Sequence, residues 1–405
     1  MTVETPVLAR KATAFDGWRS ISLSLIMTLV GYGVMVGIPV ISTAWVELLG
    51  FSEEQVGRVA GADLGGLSLG AIVTALVITR MNRKYLVLLG GGIAILANYL
   101  CTVYQQYEVV LWLRTLSGFG SGIYTAVAVA SLGATMRPTR AFNMMLFAFA
   151  ISQALEMHIL PQLSMNGIYW FFISCFAFTL LFFNWVPPYV VDVADKTDYV
   201  AVERASIPAY IPWLCLTAIF VTYINIGAYW TYIELASLDA GVPDEWIGGV
   251  LVWASFLSIV GCAFATVISN RFGLTRPLVA ALISMAIIVG MLASGITNMN
   301  IVISVFMFNF LWIFIDVYQM STVAIVDPKG AFSALMPGAQ GLGQIVGPNI
   351  AASLLGAQLG YRAVFIMCAT AAITGLLIYV LMHWRLRAVN PTLARTAGTA
   401  PVPSP

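Results

Sequence analysis

Charged side chains are scarce in this sequence. Of its 405 residues only 9% are Asp, Glu, Lys or Arg, whereas 60% are hydrophobic, and the mean hydropathy is +0.91. A soluble domain of this length needs more polar surface, so lipid is the expected solvent for most of the chain. A formal net charge of +1 offers no basic surface, and we expect no nucleic-acid partner.

Residues and motifs that hold cofactors are also missing. The five cysteines stand singly in apolar runs, without the paired spacing of disulfides or metal ligands. The sequence contains no Walker motif, no dinucleotide-binding glycine pattern and no metal-binding cluster. We therefore expect no cofactor, no metal, no ATP drive and no enzymatic reaction.

Long apolar runs, in contrast, fill the chain. A helix needs about 20 apolar residues to cross the hydrocarbon layer, and twelve segments meet that need. They lie near 21–48, 53–79, 85–105, 109–135, 141–163, 166–187, 207–237, 244–269, 277–296, 300–326, 331–357 and 361–384. The first is too long for a signal peptide. The sequence predicts an all-α integral membrane protein with twelve transmembrane helices.

Polar segments divide these helices into two groups of six. We expect an N-terminal bundle in 1–190, a charged linker in 191–206, a C-terminal bundle in 207–387 and a disordered tail in 388–405. Sixteen of the nineteen Lys and Arg residues fall on the side of the termini and the linker, and two fall on the other side. This bias predicts cytoplasmic termini in the cytoplasmic membrane.

The two groups repeat one another. The stretch from Phe51 to Gly57 returns from Val242 to Gly248, displaced by 191 positions, and Tyr32 matches Tyr223 at the same offset. In both stretches Ser or Pro opens a helix, and two acids follow where the helix dipole favours negative charge. Two similar six-helix halves are the architecture of one class of secondary transporters.

The chain resembles the major facilitator superfamily over roughly residues 18–387. Arg114, Gly118 and Gly120 match the family's Arg-x-x-x-Gly-x-Gly signature, and the turn at 79–84 is similar to its Asp-Arg-x-Gly-Arg-Arg motif without the acid. A Gly-x-x-x-Gly-Pro element, which exporters of the family carry on helix five, lies here on helix eleven at 343–348. The resemblance implies two pseudo-symmetric bundles that move a solute by alternating access.

Carboxyl groups within the apolar runs are candidates for proton coupling, because charge in lipid is costly. They are Asp316, Glu156, Asp63 and Glu234, of which the first two are preferred. Asn309, Trp312 and Asp316 share one face of the tenth helix. We expect that face to line the transport cavity. The alternative for Asp316 is a carboxyl group that only hydrogen bonds between helices.

Arg114 carries a permanent charge and needs an anionic or carbonyl partner. Asp63, Glu156 and an anionic solute are all candidates, so an internal salt bridge and a solute contact remain equally open. A glycine at every fourth residue from Gly57 to Gly65 predicts close helix packing, which turns Asp63 to another side, toward the cavity.

The remaining polar and aromatic residues are expected to hold the solute. The full set is Arg114, Gln153, Tyr223, Tyr229, Trp230, Asn309, Trp312, Gln340 and Gln344. These residue types suit a small organic solute with an aromatic or apolar body and a polar or anionic group.

Taken together, these features predict a monomeric, proton-coupled secondary transporter whose partners are a small organic solute, protons and the lipid bilayer. The nearest alternative is a drug or metabolite exporter that exchanges its solute for protons. A membrane sensor that binds a solute without moving it is an alternative of another class.

Overall fold

The computed structural model describes residues 14–135, 138–188, 207–208, 210–272, 274–326 and 331–391. These residues form α-helices and three short 3-10 helices, and no strand occurs among them. The fold is therefore all-α, as predicted. The predicted linker at 191–206 lies outside the described residues, and so do residues 392–405 of the predicted tail.

The helices form two series, the first of six helices and the second of seven, because one predicted run of the second half is divided between two helices. Their order follows the predicted runs. The first series is α1 (Trp18–Leu49), α2 (Glu53–Val77), α3 (Arg83–Val103), α4 (Tyr107–Gly133), α5 (Pro138–Ile159) and α6 (Met165–Leu180). The second series is α7 (Tyr210–Asp239), α8 (Asp244–Ser255), α9 (Leu257–Phe272), α10 (Thr275–Ser294), α11 (Asn298–Val326), α12 (Ala331–Gly356) and α13 (Gly360–Val389).

Most of these helices suit a bilayer. Within the described chain, ten spans are long and apolar enough to cross a membrane, by length and composition, and one of them joins α8 with α9 as Asp244–Ala265. The apolar helix α6 has only 16 residues. The predicted helix at 244–269 is interrupted at Phe256, where the Phe256 amide bonds to the carbonyl of Trp253, three residues earlier. Such a bond tightens the helix locally.

The two repeated stretches begin helices, as predicted. Ser52 caps α2 through a reciprocal pair: the Gln55 amide donates to the serine hydroxyl at 3.2 Å, and the Ser52 amide donates to the glutamine side chain at 3.0 Å. Pro243 takes the N-cap position of α8, one residue earlier than the expected first helical position, and Asp244 and Glu245 fill the first turn. Both stretches therefore act as helix starts.

Helix α2 packs against α4 in its own half and against α12 in the other half. A Cβ atom on Gly57 would lie 2.9 Å from the Ala352 methyl group, and one on Gly65 would lie 3.2 Å from the Ile345 side chain. The space at Gly57 admits no side chain and the space at Gly65 is tight, so the glycine stripe sets the approach of α12. The close packing predicted for this stripe is confirmed.

Short turns make successive spans antiparallel. Residues 50–52 join α1 to α2, and residues 357–359 join α12 to α13. We call the face where α1 begins and α13 ends the terminal face, and the face that holds these two turns the opposite face.

Candidate functional site

Three polar side chains of the second half meet near the middle of the bundle, and we name Tyr223, Asp316 and Gln340 the polar triad. The Tyr223 hydroxyl donates to the Asp316 carboxylate and lies 2.7 Å from each oxygen. The Gln340 amide donates to the same hydroxyl at 2.9 Å. Asp316 is partly exposed, and it forms no ion pair with any described side chain. The triad joins α7, α11 and α12 around one unpaired carboxyl group.

The first half has an aromatic counterpart of this triad. In the repeat, with its offset of 191 residues, Tyr32 corresponds to Tyr223 and Phe149 corresponds to Gln340. Thr125 corresponds to Asp316. Tyr32 and Phe149 pack edge to face with their ring centroids 5.5 Å apart, and Tyr32 lies within electrostatic range of Tyr223. The seam between the halves is therefore polar on one side and aromatic on the other.

An aromatic cluster separates the triad from the opposite face. Phe308 stacks on Tyr229 at 4.0 Å and on Trp230 at 5.9 Å between ring centroids, and Trp312 meets Trp230 edge to face at 6.0 Å. The Trp230 indole donates to the backbone carbonyl of Val36, in the other half, at 3.2 Å. This cluster closes the seam above the triad.

The two halves approach one another closely at the centre of the described bundle. A gap of about 10 Å³ lies among residues of both halves, and they are Met35, Ile38, Leu64, Ile226, Gly227, Trp230, Trp312 and Gln344. That volume is at the lower limit for one water molecule, about 10–15 Å³. The Gln344 amide reaches the Met35 sulfur at 3.6 Å. The halves are thus in direct contact at mid-membrane.

Further bonds join the halves between this level and the opposite face. The Gln153 amide donates to the Asn309 side-chain oxygen at 3.0 Å. The Tyr232 hydroxyl donates to the backbone carbonyl of Glu53 at 2.7 Å. Among the described side chains, the hydrogen bonds between halves all lie at mid-membrane or nearer the opposite face. The partly exposed triad lies on the terminal side of them.

Arg58 forms a further connection between the halves near the opposite face. Its guanidinium donates to the backbone and side-chain oxygens of Asn349 at 3.2 and 3.1 Å and to the Ser353 hydroxyl at 3.0 Å. It also bonds Glu54, one turn earlier, at 3.4 Å. One α2 side chain therefore holds two turns of α12.

Arg114 lies inside the first half, where its partner is Asp63. Its Nε donates to Asp63 Oδ2 at 2.7 Å, its Nη2 donates to the same oxygen, and its Nη1 donates to Asn98 Oδ1 at 2.7 Å. Both charged side chains are buried, with 1% and 3% of their surface exposed. The Asn98 amide in turn donates to Ser117 at 2.9 Å. All three guanidinium nitrogens are occupied, and Asp63 faces α4 rather than the seam.

Glu156 packs against the backbone of α1. The Ser152 hydroxyl donates to Glu156 Oε1 at 3.1 Å, and Oε2 has no hydrogen-bond partner among the described residues. A Cβ atom on Gly37 would lie 2.8 Å from Oε2, and one on Gly33 would lie 3.3 Å from Oε1. At the 191-residue offset the equivalent of Glu156 is Gly347, so this carboxyl group is specific to the first half.

Glu234 lies further along α7, toward the opposite face. It is eleven residues beyond Tyr223, which is about 16 Å along a helix. It is 2% exposed, and its neighbours are Thr43 and Glu47 of α1 and Asp244 of α8. It is therefore distant from the polar triad.

The structure places most of the predicted solute contacts at the seam. The residues found there are Gln153, Tyr223, Trp230, Asn309, Trp312, Gln340 and Gln344. Tyr229 is fixed inside the second half, where its hydroxyl pairs with that of Ser304 at 2.8 Å, and Arg114 is fixed inside the first. Sequence reasoning missed Phe149, although the repeat offset could have located it from Gln340.

The comparisons with known proteins agree with this architecture. The chain is 22% identical over 402 residues to "Putative transporter AraJ" of Escherichia coli (strain K12), covering 94% of this chain and 100% of that protein. A variant of the nucleoside transporter NupG superposes with a TM-score of 0.71 at 12% identity, over 89% of this chain and 99% of its own. The human organic anion transporter MFSD10 (TETRAN) gives 0.62 at 12% identity over the same shares.

These structural neighbours share the fold of this chain over most of its length. The family profile described as Major Facilitator Superfamily matches residues 23–348, which is most of the chain. The protein therefore belongs to the Major Facilitator Superfamily.

Proposed function

We propose that the chain moves a small organic solute across the cytoplasmic membrane by alternating access and couples this movement to protons. The observation that carries the proposal is the Asp316 carboxyl group, which lies on the seam without a cationic partner among the described side chains. Such a group takes up or releases a proton without breaking an ion pair. Carboxyl groups within membrane spans mark proton pathways in many transporters.

Protonation of Asp316 would also change the solute site. An ionised carboxylate only accepts hydrogen bonds, whereas a protonated carboxyl group donates one. The Tyr223 hydroxyl now donates to the carboxylate and accepts from Gln340. A proton on Asp316 turns one of its two acceptor oxygens into a donor, while the other can still accept from Tyr223. The polar triad therefore presents different groups to a solute in its two protonation states. This rearrangement is the proposed link between proton and solute.

The closure pattern supports alternating access. The hydrogen bonds between the described parts of the halves hold the seam shut toward the opposite face, and the triad is partly exposed on the terminal side. With the positive-inside bias of the sequence, the terminal face is the cytoplasmic one. We assign this conformation to the state closed toward the outside, and transport requires these bonds to break.

The solute we propose is a neutral or cationic molecule with an aromatic body. Tyr32 and Phe149 offer ring faces, and the triad opposite them offers hydrogen bonds and one negative charge. Arg114 is neutralised by Asp63, so it supplies no free positive charge for an anionic solute. We therefore favour nucleoside-like and aromatic amine probes over aromatic acids.

Export of such a solute in exchange for protons is the second candidate. The Gly-x-x-x-Gly-Pro element at 343–348, which resembles that of exporters, packs tightly against α7: a Cβ atom on Gly343 would lie 2.6 Å from the Tyr223 side chain. The element therefore lies beside Tyr223 of the polar triad. It is part of α12, the helix that also carries Gln340. The direction in which the solute moves relative to the protons distinguishes this exporter from the first candidate.

Purified protein in liposomes provides the test. Thermal-shift screening with nucleosides, aromatic amines and aromatic acids first selects a solute. Its uptake is then followed with an imposed pH gradient, with the gradient reversed and with a protonophore. We expect one polarity of the gradient to drive accumulation and the protonophore to abolish it. Equal uptake under all three conditions would replace the proposal with a uniporter or a carrier coupled to another ion.

A further inference from the structure

A groove on the flank of the bundle is separate from the polar triad. It has a volume of about 370 Å³ and lies between α2 and α4 of the first half and α12 of the second. Leu69 and Trp112, which line it, are 54% and 70% exposed. Because these large apolar side chains lie on the outer surface of a membrane-spanning bundle, the groove opens toward the acyl chains of the bilayer.

The groove is apolar along most of its length and polar at one end. Its floor consists of small residues of α2, including Gly61, Ala62 and Gly66, and Ile345 forms part of the α12 wall. Its length from Arg58 to Leu69 is eleven residues of helix, about 16 Å. A long, narrow, apolar space of this kind suits an extended hydrocarbon chain.

The polar end lies near the opposite face and carries one positive charge. Arg58 is five residues beyond the start of α2, about 8 Å along the helix, and 34% of its side chain is exposed. Asn349 lines the same end. An arginine at that depth reaches the headgroup level of a bilayer.

We propose that this groove binds one anionic phospholipid from the leaflet at the opposite face, with an acyl chain in the groove and the phosphate on Arg58. Guanidinium and phosphate form paired hydrogen bonds. The phosphate replaces Glu54, whose bond to Arg58 is the longest of the four at 3.4 Å and whose side chain is 46% exposed. An exposed ion pair of this kind is weak.

Lipid binding at this groove affects the contacts that close the bundle at the opposite face. The bonds from Arg58 to Asn349 and Ser353 join the two halves at the opposite face. A phosphate that takes the place of Glu54 leaves those bonds intact and fixes the guanidinium between lipid and α12. The bound lipid therefore favours the conformation that is closed at the opposite face.

Native mass spectrometry of the purified full chain tests this proposal. Phosphatidylglycerol and phosphatidylcholine with the same acyl chains are titrated separately, and we expect the first to bind about fivefold more tightly, as one juxtamembrane basic residue predicts. Arg58→Gln should remove this preference, Arg58→Lys should keep it, and Glu54→Gln should increase it. Equal binding of the two lipids by the unmodified protein would overturn the proposal.

A second pair of variants tests the location without touching the charge. Ala62→Phe fills the groove and should reduce binding of both lipids several-fold. Leu76→Phe adds the same ring volume at a lipid-exposed position of α2, where 71% of the leucine is exposed, and should change nothing. Unchanged binding in Ala62→Phe, or equal losses in the two variants, would place the lipid elsewhere.

Discussion

The buried pair of Asp63 and Arg114 gives the sharpest prediction about stability. In Asp63→Asn the guanidinium stays charged and buried, and its partners are then neutral amide oxygens, that of the substituted side chain and that of Asn98 at 2.7 Å. Removing one member of a buried ion pair costs about 3–5 kcal/mol. A loss of about 3 kcal/mol lowers the equilibrium constant for folding more than a hundredfold. We therefore expect Asp63→Asn to be strongly destabilised.

The two members of this pair should not be equivalent. A carboxyl group left alone can take up a proton and become neutral, whereas a guanidinium cannot lose its charge in a protein. Arg114→Met should therefore cost less stability than Asp63→Asn. The double variant Asp63→Asn/Arg114→Met removes both charges and should be more stable than Asp63→Asn alone, with a coupling free energy of about 2 kcal/mol or more.

Unfolding in mixed micelles with increasing sodium dodecyl sulfate, followed by tryptophan fluorescence, measures these differences. Glu108→Gln is the matched control, because Glu108 is an exposed acid in the first turn of α4, and a change within about 0.5 kcal/mol is expected there. The reasoning fails if Asp63→Asn is as stable as this control. It also fails if Arg114→Met keeps full stability but loses solute binding, since Arg114 would then contact the solute.

Three further predictions concern the seam and its packing. Tyr223→Phe removes the hydroxyl that donates to the carboxylate of α11, and we expect the Kd for the solute to rise about fivefold to tenfold in a binding titration. Gly37→Ala should lower the free energy of unfolding by about 1–3 kcal/mol, because the added methyl group would lie 2.8 Å from the Glu156 carboxyl group. Gly248→Ala adds its methyl group in open space and should not destabilise the protein in the same unfolding assay. Crosslinking Arg58→Cys to Ser353→Cys with a reducible bifunctional thiol reagent, in a background without other cysteines, should block solute uptake, and reduction should restore it. Uptake that survives complete crosslinking would contradict the proposed closure at the opposite face.

Local signals in the sequence were sufficient for the helices and their ends. The capping residue Ser52 acts through Gln55, three positions away, and the glycines of α2 recur at every fourth position, so the pattern of residue types records both features directly. The break at Phe256 could not be foreseen, because neither Gly nor Pro occupies that position and the bonds that tighten the helix there depend on packing.

The partner of Arg114 could not be predicted from the sequence, for a different reason. Counting residues along each span gives the depth of a side chain in the membrane. By that measure both Asp63 and Glu156 were plausible partners of Arg114. The choice between them depends on which helices are neighbours: α2 lies against α4, so Asp63 reaches Arg114, whereas Glu156 turns to Gly33 and Gly37 of α1. Adjacency of helices is a property of the whole bundle.

The orientation of Tyr229 was equally inaccessible. Every residue of α7 from Asn225 to Ser237 is buried, since this helix contacts neighbours on all sides. A helix buried all round shows no polar face, so the side that faces the seam cannot be distinguished from the side that packs against α11. The 191-residue repeat offers a way round this difficulty, because Tyr32 and Tyr223 occupy equivalent positions on the seam.

The central claim is that Asp316 carries the coupled proton, and solute exchange separates this role from a structural one. Asp316→Asn should lose uptake driven by a pH gradient and keep counterflow of labelled solute between solute-loaded liposomes and the medium, because exchange requires no net proton movement. Asp239→Asn, at an exposed acid near the end of α7, should keep both activities. Gradient-driven accumulation in Asp316→Asn at the rate of the unmodified protein would contradict the account.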